Sequence, residues 1–80
     1  MILTGTALRA ARAILKISQL ELADSIGCSH QVIQSMENND GIITSSRASN
    51  VEKVVTYLKS RNIDFKFDGT RVSVFYDFPE

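Results

Sequence analysis

Residues 18–38 read SQLELADSIGCSHQVIQSMEN, two short helical patterns on either side of Gly27. Ser18 and Glu21 have the spacing of a capping box, in which each side chain accepts from the other residue's amide, so a helix is expected to begin here. Leu22, Ala23 and Ile26 form its inner face. Gly27 fits the left-handed residue that ends a helix, a conformation that costs a non-glycine residue roughly 1–2 kcal/mol. A second helix follows Ser29 and turns Ile33 and Met36 inward. The two must meet closely, and Ala23 supplies the small side chain that permits it. Leu22, Ile26, Cys28, Ile33 and Met36 fill the angle between them, with Cys28 read as a buried small hydrophobe and not a reactive thiol. That leaves Gln19 at the start of the first helix, and His30, Gln31, Gln34 and Ser35 exposed on the second.

Upstream, TALRAARAILK (6–16) is rich in good helix formers, with Leu8, Ala11 and Leu15 at helical spacing and Thr6 placed to cap. Downstream, NNDG (38–41) stops the second helix of the pair, and IITSSRA (42–48) reads as loop. Ser49 and Glu52 form another capping box, opening SNVEKVVTYLKSR, where Val51, Val54, Val55 and Leu58 fall at i, i+3, i+4 and i+7. After Asn62 the period changes to 2. Ile63, Phe65 and Phe67 alternate with Asp64 and Lys66, and Asp68-Gly69 signals a two-residue turn. Pairing across that turn sets Phe67 opposite Thr70, Phe65 opposite Val72 and Ile63 opposite Val74, all on one face. The expected fold is α+β and mostly helical: four helices over residues 1–61, then a two-stranded antiparallel hairpin over 62–80, packed as part of one unit.

Composition narrows the function. Eighty residues, 44% of them hydrophobic, suit one small folded domain. No apolar run approaches the roughly 18–20 residues of a membrane span, and MILTGTALRA lacks the form of a signal peptide, so a cytoplasmic protein without a membrane partner is expected. One cysteine and one histidine make neither an internal disulfide nor a metal site, and no cofactor or small-molecule ligand is expected. No catalytic set or glycine-rich phosphate loop is evident, so the chain is not expected to be an enzyme. Net charge is zero, but residues 1–61 carry seven basic against five acidic groups and residues 62–80 two against four. An anionic partner should therefore meet the N-terminal part.

With SQLELA, the Gly27 turn, CSHQVIQSME and Asn38 in order, extending back over LRAARAIL, the chain resembles the helix-turn-helix of phage repressor, Cro and xenobiotic-response-element regulators across roughly residues 7–60. The resemblance implies a lambda-repressor-like four-helix domain whose second motif helix enters the major groove of double-stranded DNA. It implies base-facing positions for His30, Gln31 and Ser35, with Gln34 beside them. Gln19 and Ser29 at helix N-termini, and Asn38, correspond to phosphate contacts, and Arg47 resembles the basic loop residues that clamp the backbone. Arg12 and Glu37 match a structural ion pair of these domains. Two positions depart from the pattern. Val32 stands where a polar residue is common, and either touches a thymine methyl or covers neighbouring surface. Lys16 stands where glycine is common, and either accepts backbone strain or approaches phosphate.

The chemistry of the exposed set agrees. Glutamine's paired donor and acceptor match the major-groove edge of adenine, and histidine can donate to guanine or accept, depending on its tautomer. A hairpin is marginal alone, so the face bearing Phe65, Phe67, Val72 and Val74 should lie on something, and Phe75 is left over on the other face. Since the family binds two-fold sites as dimers, these five residues are the expected homodimer interface, and a palindromic operator the expected site. The expected function is a sequence-specific transcriptional regulator, a repressor acting by occlusion without a separate effector domain. The alternatives are an antitoxin-type autorepressor whose tail binds a toxin, or a helix-turn-helix used solely to bind protein.

Overall fold

Capping chemistry sets where the first two helices begin. The computed structural model describes residues 3–39, 41–43 and 48–78, and contains α1 (Gly5–Leu15), α2 (Gln19–Ile26), α3 (His30–Glu37) and α4 (Ala48–Ser60), followed by β1 (Ile63–Asp68) and β2 (Arg71–Tyr76). The box at the head of α2 is complete: Ser18 Oγ accepts from the Glu21 amide at 3.0 Å, and Glu21 Oε1 accepts from the Ser18 amide at 3.2 Å. Helix α1 starts earlier than Thr6 suggests. Thr4 is its cap, with Oγ1 accepting from the Ala7 amide at 3.1 Å, and Thr6 lies within the first turn. Helix α4 likewise begins at Ala48, so Ser49 already has helical backbone, and a capping residue needs an extended one.

The α2–α3 turn forms as its glycine requires. Gly27 has φ 73, and the Cys28 amide donates to the Ala23 carbonyl at 3.0 Å. Leu22, Ala23, Ile33 and Met36 are fully buried behind it, against Leu8 and Ala11 of α1 and Val54 and Leu58 of α4. Lys16 ends α1 in the same left-handed region, at φ 57 and ψ 40, so a side chain is carried where glycine would be free of strain.

Leu3 and Thr4 are tied to the chain beyond α3. Ile43 donates to the Leu3 carbonyl at 2.9 Å, and Thr4 bridges Ile42 in antiparallel fashion. Part of the stretch read as loop is therefore structural, and both Leu3 and Ile43 are buried. Asn39 shapes the approach, accepting from the Gly41 amide and donating to the Ile42 carbonyl, both at 3.1 Å.

The hairpin forms in a register two residues from the expected one. Phe67 pairs with Val72, Phe65 with Val74 and Ile63 with Tyr76. The turn is Gly69-Thr70, with Gly69 at φ 61 in the first central position, as a type II′ turn asks. Asp68 is thereby released to pair with Arg71, placing opposite charges on the last rung. An even shift leaves every side chain on its face, so the apolar face keeps its members and gains Tyr76. Ile63 is fully buried in the helical core, Phe65, Val72 and Val74 are half-buried against it, and Phe67 and Phe75 are exposed.

Gly5 marks the tightest crossing. Its amide donates to the Asn39 carbonyl at 3.0 Å, and a Cβ here would lie 2.2 Å from that oxygen and 2.6 Å from the Met36 carbonyl oxygen. Both neighbours are backbone, so neither can swing aside. Gly5→Ala is expected to destabilise the protein by about 2–3 kcal/mol in chemical denaturation, the upper range for overpacking. A loss within a few tenths of a kcal/mol would show that the α1–α3 crossing is looser than this.

Candidate functional site

Helix α3 exposes His30, Gln31 and Gln34, with Ser35 half-buried beside them. What holds this face is a chain of polar contacts running out from the core. Glu37, at the far end of α3, is buried with its side chain 2% exposed, and Arg12 of α1 grips it with two parallel bonds. Arg12 Nε donates to Oε2 at 2.5 Å and Nη2 to Oε1 at 2.7 Å, the fork geometry that favours arginine over lysine. Arg12 Nη1 donates to the Ile17 carbonyl at 3.0 Å, fixing the α1–α2 connection to the same point. Hydrogen bonding to Glu37 raises the Arg12 pKa above its ordinary value, against the opposing pull of burial. Among the described residues no buried side-chain polar atom lacks a partner.

The chain continues to the surface. Gln19, the first residue of α2, donates from Nε2 to Glu37 Oε1 at 3.2 Å, and its Oε1 lies 3.0 Å from His30 Nε2. The heads of α2 and α3 are thus joined side chain to side chain, and behind them lies the ion pair. Arg9 adds a contact absent from the expectations: it donates from Nη1 to the Glu37 carbonyl and from Nη2 to Thr6 Oγ1 at 3.3 Å. A cation at the carbonyl end of α3 complements the helix dipole there. The available sequence signal was the Arg9/Arg12 spacing of three, which puts both guanidinium groups on one face of α1.

The remaining residues divide. Ser29 is the N-cap of α3 but its hydroxyl makes no capping bond, and it is exposed. Asn38 caps the other end and is exposed, as is Lys16. Val32 is half-buried against the core. Arg47 lies outside the described residues. Cys28 is half-buried, and burial raises its thiol pKa while Lys53 pulls it down, an environment for a packed side chain and not an activated one. No group of histidine, cysteine and carboxylate side chains able to hold a metal ion occurs among the described residues, nor any helix long and apolar enough to cross a membrane.

A helix-turn-helix family matches residues 8–57, from α1 into α4 and including both helices of the pair. No curated protein and no solved structure matches the chain.

Removing one member of the ion pair should be far worse than removing both. Arg12→Met leaves the Glu37 carboxylate buried with Gln19 as its remaining donor, and is expected to lower stability by about 3–5 kcal/mol in denaturant titration. Arg12→Met combined with Glu37→Leu should recover most of that loss. Equal destabilisation by the single and double variants would mean that the pair matters only through packing.

Proposed function

The chain belongs to the helix-turn-helix family of Cro/C1 and xenobiotic-response-element type, DNA-binding regulators with a lambda-repressor-like fold, and from that membership we propose a sequence-specific reader of double-stranded DNA that acts as a repressor. The observation that carries the proposal is the state of α3: its inner side is locked by the Arg12–Glu37 pair while His30, Gln31 and Gln34 face solvent with hydrogen-bonding groups. Protein-binding helices more often present aromatic and apolar anchors. Gln31 reads adenine through its paired donor and acceptor, Gln34 and Ser35 read flanking positions, and Gln19, Ser29, Asn38 and Lys16 meet phosphates on either side. Bound across a promoter, such a protein excludes polymerase by occupancy.

The zero net charge gives this reading a particular form. Affinity comes from helix N-termini and neutral polar contacts more than from a basic surface, so binding should weaken with salt less steeply than for a protein making many lysine and arginine contacts. A two-fold operator requires two α3 helices about 34 Å apart, one turn of DNA, and therefore a dimer. The hairpin is the proposed dimer element. Phe65, Val72 and Val74 already lean on the helices, which leaves Phe67 and Phe75, 37% and 49% exposed, as its free apolar contacts.

Gln31→Ala is expected to weaken binding to the selected operator by about 1–3 kcal/mol while binding to random DNA barely changes. Titration of both DNAs by fluorescence anisotropy measures this, and equal losses on the two would remove Gln31 from the reading surface. Phe75→Lys, on the outer hairpin face, is expected to convert the intact protein from dimer to monomer at tens of micromolar in sedimentation equilibrium. A monomeric parent protein, or a variant that still dimerises, would exclude this face.

A further inference from the structure

The contacts around Gln19 determine more than its position. Its amide bridges two partners of different character: Glu37 Oε1 at 3.2 Å on one side and His30 Nε2 at 3.0 Å on the other. Glu37 is held as a carboxylate by the bidentate Arg12 and can only accept. The Gln19 atom facing it must be the NH2 group. The carbonyl oxygen is then left for His30, and a carbonyl can only accept. His30 Nε2 must therefore carry a proton. In the neutral imidazole a proton on Nε2 leaves Nδ1 bare, as an acceptor. Among the described residues Nδ1 has no hydrogen bond, and His30 is the exposed first residue of α3.

We infer that the buried Arg12–Glu37 pair sets the base preference of His30: through the oriented Gln19 amide it holds the histidine as the Nε2–H tautomer, so that Nδ1 accepts from an exocyclic amine in the major groove. Cytosine N4 and adenine N6 present such a donor. Guanine N7 and O6 and thymine O4 present acceptors alone, which face Nδ1 lone pair to lone pair, whereas adenine sets its N6 donor beside the N7 acceptor. His30 left to itself could serve either kind of base, so the specificity at this position originates in Arg12 and Glu37, which touch no DNA. Arg12 and Glu37 are positioning residues in this scheme, and Gln19 transmits their polarity. The inference rests on the proposed DNA-reading function and adds the chemical class of base that one residue selects.

Replacing the relay reverses its sign. In Gln19→Lys the ammonium donates both to Glu37 and toward His30 Nε2, which must then accept, and the imidazole proton moves to Nδ1. In Gln19→Leu neither tautomer is imposed. The full chain and each variant are tested by selecting bound duplexes from random DNA at about pH 8.5, above the usual range of histidine protonation. Long-range 1H–15N spectra of the 15N-histidine-labelled, DNA-free proteins report which ring nitrogen is protonated. The base pair read by His30 is identified as the one whose preference vanishes in His30→Ala. There the parent protein should favour cytosine or adenine by about two- to tenfold, the range of one neutral hydrogen bond. Gln19→Lys should lose any preference for cytosine and favour a base with a major-groove acceptor, guanine, thymine or adenine through N7, with the proton on Nδ1, and Gln19→Leu should show a flattened preference.

An unchanged cytosine at that position across all three proteins would overturn the inference, as would a ring proton that stays on the same nitrogen in the parent and in Gln19→Lys, a parent spectrum with the proton on Nδ1, or a His30→Ala protein that loses no preference. These outcomes leave DNA reading itself standing. Absence of any enriched sequence with the intact parent chain would overturn the DNA-reading proposal, and the base assignment with it.

Discussion

A bidentate ion pair between Arg12 and Glu37 joins the first helix to the end of the third, and most of the polar architecture hangs from it. An arginine and a glutamate cannot sit at the edge of an apolar core unless each satisfies the other, because desolvating either alone costs several kcal/mol. The pairing fixes the separation and rotation of α1 against α3. The same guanidinium also holds the Ile17 carbonyl, which sets the entry into α2. One side chain thus ties three helices at their shared corner. The bidentate geometry constrains their relative orientation, because two nitrogens and two oxygens must align at once.

The opposite end of the α1–α3 crossing is held by backbone. Gly5 approaches the Asn39 carbonyl directly, and the Leu3–Ile43 bond and the Thr4–Ile42 bridge continue that contact. Between these two ends Leu8, Ala11, Ile33 and Met36 pack without access to solvent. On the outer surface of α3, Gln31 and Gln34 are exposed, while His30 joins the head of α2 through Gln19. The hairpin adds Ile63 to the core and presents Phe67 and Phe75 outward, so one short element both closes the fold and offers a contact surface.

The helix-turn-helix pair was legible because its signals are local. The Ser18–Glu21 box spans three residues, and Gly27 and Ala23 answer to constraints within one turn of chain. The inward set of α4 was legible from periodicity alone, since Val51, Val54, Val55 and Leu58 are all buried. Where two local signals competed, the sequence had no means of choosing. Thr6 has the residue type of a cap for α1, but the cap is Thr4, next to the Gly5–Asn39 approach. The hairpin register shows the same limit. Alternation fixes which face a residue occupies, but any even shift satisfies it equally, and the pairing of Asp68 with Arg71 belongs to the turn geometry.

For the candidate site, residue types indicated which side chains would be exposed on α3 and were insufficient to connect them. The exposure of His30, Gln31 and Gln34 follows from helical spacing, because Ile33 and Met36 occupy the other side of α3. The contact between Gln19 and His30 joins the heads of two different helices, and its existence depends on the angle at which α2 and α3 cross. The direction of the Gln19 amide depends in turn on a carboxylate contributed by the far end of α3 and held by α1. Spacing along a chain encodes which face a side chain occupies, since that is a property of one element's period. Which partner it meets, and with which atom, is a property of distances between elements, and those exist only once the helices have packed.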